Sequence, residues 1–196
     1  MPDDDLEARL AEVSEGELSL LARAPDRPAH HHRNKISITA QSLRDGWVGL
    51  EQCHSQLDAV AETQIVYLPQ RIRNIRILSA ENIDAHRVEG PTVQLQGIGH
   101  DARLCLRAES QALHRLDADH YRLKNGPYMR RFLDGYYPMR VSLEISYPEN
   151  RLSLQGFRPP PGGAGRFEQR TGHLLWDSWF KGRLFTEFDF ILQRQP

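Results

Sequence analysis

The segment VSLEISY places Val141, Leu143, Ile145 and Tyr147 at alternate positions, with Ser142, Glu144 and Ser146 between them. Successive side chains of an extended strand point to opposite faces, so such a run turns one flank to a core and the other to water. This two-residue period sets in at Lys35 and persists to the last strand-like segment, and it constrains the fold more than any other feature. Ile36, Ile38 and Ala40 alternate with Ser37 and Thr39, a turn at RDG follows, and WVGLEQCH then carries Trp47, Val48 and Leu50. TQIVYL, IRNIRIL, TVQLQGI and ARLCLRA read as further strands, and GRLFTEFDFIL sets Leu184, Thr186, Phe188, Phe190 and Leu192 against Phe185, Glu187, Asp189 and Ile191. Ile72 is out of phase with Ile75 and Ile77, which predicts a bulge or bend near Asn74. The turn PEN between VSLEISY and RLSLQGF predicts a hairpin over residues 140–157.

About ten strands without βαβ alternation predict an all-β fold, an antiparallel β-sandwich or partly open barrel. A short N-terminal helix precedes it over residues 3–15, where Leu6, Leu10 and Val13 share a face and Asp3, Asp4 and Asp5 suit the positive end of the helix dipole. ELSLLA fits either a helical turn or a short strand. ARAPDRPAHHHRN, with two prolines and no period, reads as an extended connection. The expected plan is an N-terminal helix and linker over residues 1–33 and one all-β domain over 34–196, with the polar, loosely patterned stretch 109–123 as the place for a subdivision.

Composition acts by exclusion. With 25 basic against 26 acidic residues the net charge is −1, so no global field draws the chain to nucleic acid or to a membrane surface. The basic residues are 22 Arg and 3 Lys, but the arginines are spread along the chain, and clustering is what would indicate anion recognition. No run of apolar residues is long enough for a transmembrane helix. The N-terminus MPDDDLEARLAEV lacks the order of a secretory signal. Cys53 and Cys105 admit one disulfide, which would place the protein in an oxidising compartment. A bacterial periplasmic or otherwise exported protein is expected, with two free thiols in the cytoplasm as the alternative.

Catalytic signatures are missing. No G-x-S-x-G, Walker A or G-x-G-x-x-G sequence occurs. Glu144, Glu187 and Asp189 fall on outward strand faces, and Cys53 and His54, as strand neighbours, point apart. Two constellations remain. His30, His31 and His32, with His54 next to Cys53, offer imidazoles that ligate zinc, copper or nickel, although three consecutive residues of an extended chain cannot all face one ion. They support a metal-binding protein or metal-dependent enzyme as the alternative function, with a transition metal as its cofactor; the leading reading needs no cofactor. The other constellation is NGPYMRRFLDGYYP. Asn125-Gly126-Pro127 predicts a chain reversal, Met129 to Leu133 a single helical turn ended by Gly135, and Pro138 an extended Tyr137, with Asp134 paired to Arg130 or Arg131. As architecture it is a corner in which Phe132 and Leu133 cap an open end of the core. As function, Tyr128, Arg130, Arg131, Asp134, Tyr136 and Tyr137 form a recognition patch of the residue types that dominate binding hot spots. Trp176, Trp179 and Phe180 line the same edge or belong to the core. The expected function is a non-enzymatic binding or assembly module that recognises a protein or polar ligand through this Tyr/Arg corner; a barrel carrying a small ligand is the third reading.

Overall fold

The computed structural model describes residues 16–193. Alternation becomes strands almost throughout. β2 (His31–Ser37), β3 (Trp47–Ser55) and β6 (Thr92–Gln111) lie side by side in the middle of a large sheet. β11 (Met139–Ser146) continues it beyond β2, followed by β14 (His173–Lys181), which carries both β1 (Ser19–Leu20) and β13 (Arg166–Arg170). β6 carries β4 (Glu62–Val66) further along the edge that pairs with β3, and β5 (Ile72–Glu89) along its opposite edge. A smaller sheet runs β12 (Leu152–Arg158), β15 (Leu184–Leu192), β8 (His120–Tyr128) and β7 (Leu113–Arg115). Leu143, Ile145 and Trp176 from the large sheet and Leu123, Phe188 and Phe190 from the small one are buried in one continuous core. The two sheets are therefore the layers of a sandwich, each covering the apolar flank of the other. The fold is all-β as expected, with neither sheet closed into a barrel. Trp176 and Phe180 are core residues, and Trp179 lies at the outer face under Arg140.

The bulge read from the phase of Ile72 is present: Asn74 adopts φ 57° and the β5–β6 register shifts between Arg73 and Arg76. ELSLLA resolves as β1. The RDG turn carries a one-turn helix, α1 (Ser42–Asp45), ended by Gly46 in the left-handed conformation. The expected N-terminal helix over residues 3–15 lies outside the described residues. Cys53 and Cys105 face each other across the β3–β6 ladder, 4.1 Å apart at Cα, and are joined by a disulfide on the outer face of the large sheet.

Several expectations are corrected. The sheet is not wholly antiparallel, because β11 runs parallel to β2. TVQLQGI and ARLCLRA are one strand, β6, and IRNIRIL extends to Glu89 as β5. Residues 140–157 are not a hairpin: β11 pairs with β14 and β2, while β12 pairs with β15 in the other sheet. The turn at Pro148, which accepts the Arg151 and Leu152 N–H groups, hands the chain from one layer to the other. A reversal in sequence sets direction; whether the two arms share a ladder depends on which partners each finds. The stretch 109–123 is a second such passage, taking the chain from β6 through β7 into β8. The histidine run belongs to a strand rather than to the linker, since β2 begins at His31 and the Arg140 N–H donates to the His30 carbonyl. No described helix is long and apolar enough to cross a membrane.

Candidate functional site

Counting back by twos from the buried Ile36 gives Asn34, His32 and His30 on the inner face of β2, and the same count from Leu50 on β3 gives Gln52 and His54. The β2–β3 register sets His32 opposite His54 and Asn34 opposite Gln52. Three imidazoles therefore crowd together, with ring centroids 4.4 Å (His32–His54), 5.1 Å (His30–His54) and 6.3 Å (His30–His32) apart.

Their hydrogen bonds determine their tautomers. The Gln52 amide nitrogen can only donate, so at 2.9 Å from His54 Nε2 it requires a lone pair there. His54 then carries its proton on Nδ1 and donates it to His30 Nε2 at 2.9 Å. Gln52 Oε1 in turn accepts from the Tyr67 hydroxyl at 2.7 Å. On the neighbouring branch, Asn34 Oδ1 can only accept, so His32 donates from Nε2 at 2.9 Å. The Asn34 amide nitrogen donates to the Tyr128 hydroxyl at 2.9 Å, and Tyr128 stands edge-on to His32 with centroids 4.9 Å apart. The rings of His30, His32 and His54 are neutral. Burial holds the His30 imidazole down to about 4 and that of His32 to about 3, with neighbouring positive charge and the other rings adding to the effect, while Asp58 opposes it at His30 and the Asn34 hydrogen bond opposes it at His32. Burial and the adjacent His32 and His30 hold His54 well below its ordinary value. Burial also raises the Tyr67 and Tyr128 hydroxyls above theirs.

These residues form the floor of a cavity of about 980 Å³ between the sheets. Ile36, Leu50, Ile72, Leu95 and Met139 supply apolar wall. Val66 and Leu68, 63% and 61% exposed, join Met129 and Phe132 as an apolar collar at the mouth. Arg130 reaches this cavity as well and is held there by a bidentate pair with Asp58 and by donation to the Pro138 carbonyl at 3.2 Å. Its guanidinium lies over the Phe132 and Tyr137 rings, 5.6 Å from each centroid.

The two constellations found in the sequence thus meet at one cavity. Of the corner residues, Tyr128 is buried in the floor, Arg130 is at the side and the exposed Arg131 lines the rim, stacked over Tyr136 at 5.6 Å. Asp134 pairs with neither arginine; it accepts from the Tyr137 hydroxyl at 2.5 Å. The partner of Arg130 is Asp58, 72 residues away, which nothing local in the sequence marks. The expected helical turn is instead a two-stranded ribbon, β9 (Arg131–Phe132) with β10 (Gly135–Tyr136). Asn125-Gly126-Pro127 does not reverse the chain: it bulges β8 opposite β15, and Gly126 is required there because a Cβ would stand 2.5 Å from the Leu184 carbonyl oxygen.

His31 separates from its neighbours. It faces outward, 2.7 Å from the Ser142 hydroxyl, beside a shallow groove of about 370 Å³ with Arg33 and Arg140. Burial and the Arg140 charge hold its imidazole down to about 4. The four histidines are thus not one set, and both ring nitrogens of His54 are already engaged. Among the described residues no group of three or more His, Cys, Asp or Glu is placed to hold a metal ion. Of the three outward acids, Glu187 and Asp189 form an ion-pair cluster with Arg122, Lys124 and Arg158 on the outer face of the small sheet, and Glu144 lines the shallow groove beside His31.

Asn34, Gln52, Tyr67 and Asp58 are the site residues that motif reading misses. For Asn34 and Gln52 a signal exists: each continues an inward phase two residues from a histidine, and a polar side chain on a core face requires a partner. No protein-family model matches the chain, and none of the curated proteins matches it.

Proposed function

We propose that this protein is a non-enzymatic binding module whose site is the cavity between the two sheets, with the histidine row as its floor and the Tyr/Arg corner as its mouth. The observation that carries the reading is the Asn34–Tyr128 bond at 2.9 Å, through which two polar constellations from opposite layers become one wall of a cavity of about 980 Å³. A concave, mostly apolar space of several hundred Å³ with a few convergent polar groups is the usual form of a small-molecule site. Catalysis fits less well, since the imidazoles are hydrogen-bonded to one another and to amides, with no nucleophile beside them. The disulfide supports an exported, periplasmic setting, where such a bond persists.

The test is native mass spectrometry of protein isolated without added ligand, alongside the I65W variant, which places an indole in the cavity wall. A bound small molecule in the parent and its loss in the folded variant is the expected result. Equal retention by both would move the site elsewhere.

A further inference from the structure

We infer that the cavity takes an uncharged amphiphile, a molecule with a hydroxyl-type head and an aliphatic body, held head first against the histidine floor. The inference rests on the cavity being the binding site and names the class of its ligand.

Two polar atoms of the floor keep unused bonding capacity. His32 spends its Nε2 proton on Asn34, so its Nδ1 is a lone pair, and the Tyr128 hydroxyl accepts from Asn34 and keeps its own proton to give. Neither atom has a further bonding partner among the described residues. Both side chains line the cavity, with only 9% of His32 and 7% of Tyr128 exposed, and their rings adjoin edge to face. One acceptor and one donor side by side fit a head that both donates and accepts, as a hydroxyl does. Burying them unmatched is costly, so the floor favours such a guest over a plain alkyl end.

Charge excludes the alternatives. The floor groups His30, His32, His54, Asn34, Gln52, Tyr67 and Tyr128 are all neutral, so neither a carboxylate nor an ammonium would find a countercharge there. None of the charged residues of the lining is a member of the floor network. Asp58 and Arg130 neutralise each other, Lys124 is paired with Glu187, and Glu62, Arg71 and Arg131 are exposed to water, where their fields are screened. Above the floor Ile36, Leu50, Ile72, Leu95 and Met139 give an aliphatic side to a wall that also carries Thr63, Gln64 and Ser110, and Val66, Leu68, Met129 and Phe132 extend the apolar surface past the mouth, as an alkyl chain leaving the cavity requires.

The experiment compares three probes of equal chain length, 1-octanol, octanoate and octyltrimethylammonium, by titration calorimetry at pH 7.5 on the disulfide-intact protein. Octanol is expected to bind with one site and at least tenfold tighter than either ion. Y128F, which keeps the ring and removes the hydroxyl, and H32L should each cut that preference to less than threefold, with folding checked by circular dichroism. Octanoate or octyltrimethylammonium binding as tightly as octanol would overturn the inference while leaving the cavity as the site, and so would a preference unchanged in Y128F. No binding of any probe, or octanol binding unaltered in I65W, would overturn the cavity reading itself.

Discussion

The amide of Asn34 donates to the hydroxyl of Tyr128 at 2.9 Å, joining β2 of the large sheet to β8 of the small sheet across 94 residues of sequence. Both groups are buried, and the bond fixes which way the amide faces and therefore which nitrogen of His32 carries its proton. Replacing Asn34 by Leu removes the acceptor of His32 and the donor to Tyr128 together. We expect N34L to lose on the order of 2 kcal/mol of stability, measured by urea denaturation at pH 7.5, with H32L/N34L losing less than the sum of its parts because the two belong to one network.

Acid should unfold this protein earlier than its carboxylates alone require. The His30 and His32 imidazoles lie at about 4 and 3 in the folded state, against 6.5 when free. A lowered imidazole means that the unfolded chain binds the proton more readily. The stability contributed by neutrality is complete above pH 6.5 and is lost as pH falls from there toward 4. For a single histidine displaced by more than two units, the loss by pH 4 is about 3 kcal/mol. Urea midpoints measured from pH 7.5 to 4 should fall steeply, and H32Q should flatten part of that slope. Parallel profiles for the two proteins would contradict a neutral His32.

Arg130 is held in place by its countercharge. D58N removes the countercharge and leaves a half-buried guanidinium with neutral acceptors and two ring faces, and should cost about 1 to 3 kcal/mol. A double-mutant cycle with R130Q should return a coupling of at least about 1 kcal/mol, more than exposed pairs such as Arg87–Glu89 give.

Cys53 and Cys105 should show no free thiol when titrated under denaturing, non-reducing conditions. The bridge spans 52 residues, and C53S/C105S should lower stability by about 4 kcal/mol through the entropy of the unfolded chain.

Gly126 has φ 105° and its missing Cβ faces the Leu184 carbonyl oxygen. G126A should therefore cost about 2 kcal/mol or more and displace Tyr128, visible as a weakened preference for octanol over octanoate.

Much of this was legible from residue order. Alternation from Lys35 onward reads directly as strands because a pleated chain must segregate its two faces, and the break at Asn74 shows because an extra residue inverts the phase. Cys105 falls opposite the Leu104 and Leu106 phase, whereas Cys53 shares its phase with Trp47, and only the β3–β6 register shows that they meet on the outer face. The same count would have put His30, His32, Asn34, Gln52 and His54 on inner faces, but the prolines before the histidine run made it look like a connection rather than the start of β2.

The sequence by itself determined that this chain forms strands, where their faces change phase, and that two polar groups needed an explanation. Only the tertiary structure decided that RLSLQGF leaves its neighbour for the other sheet, that Asp58 neutralises Arg130, and that the histidines and the corner tyrosine share a cavity. The reason is physical: periodicity records how each segment meets its own two faces, whereas strand partners, countercharges and cavity walls come from residues tens of positions apart, brought together when the two layers close over one core.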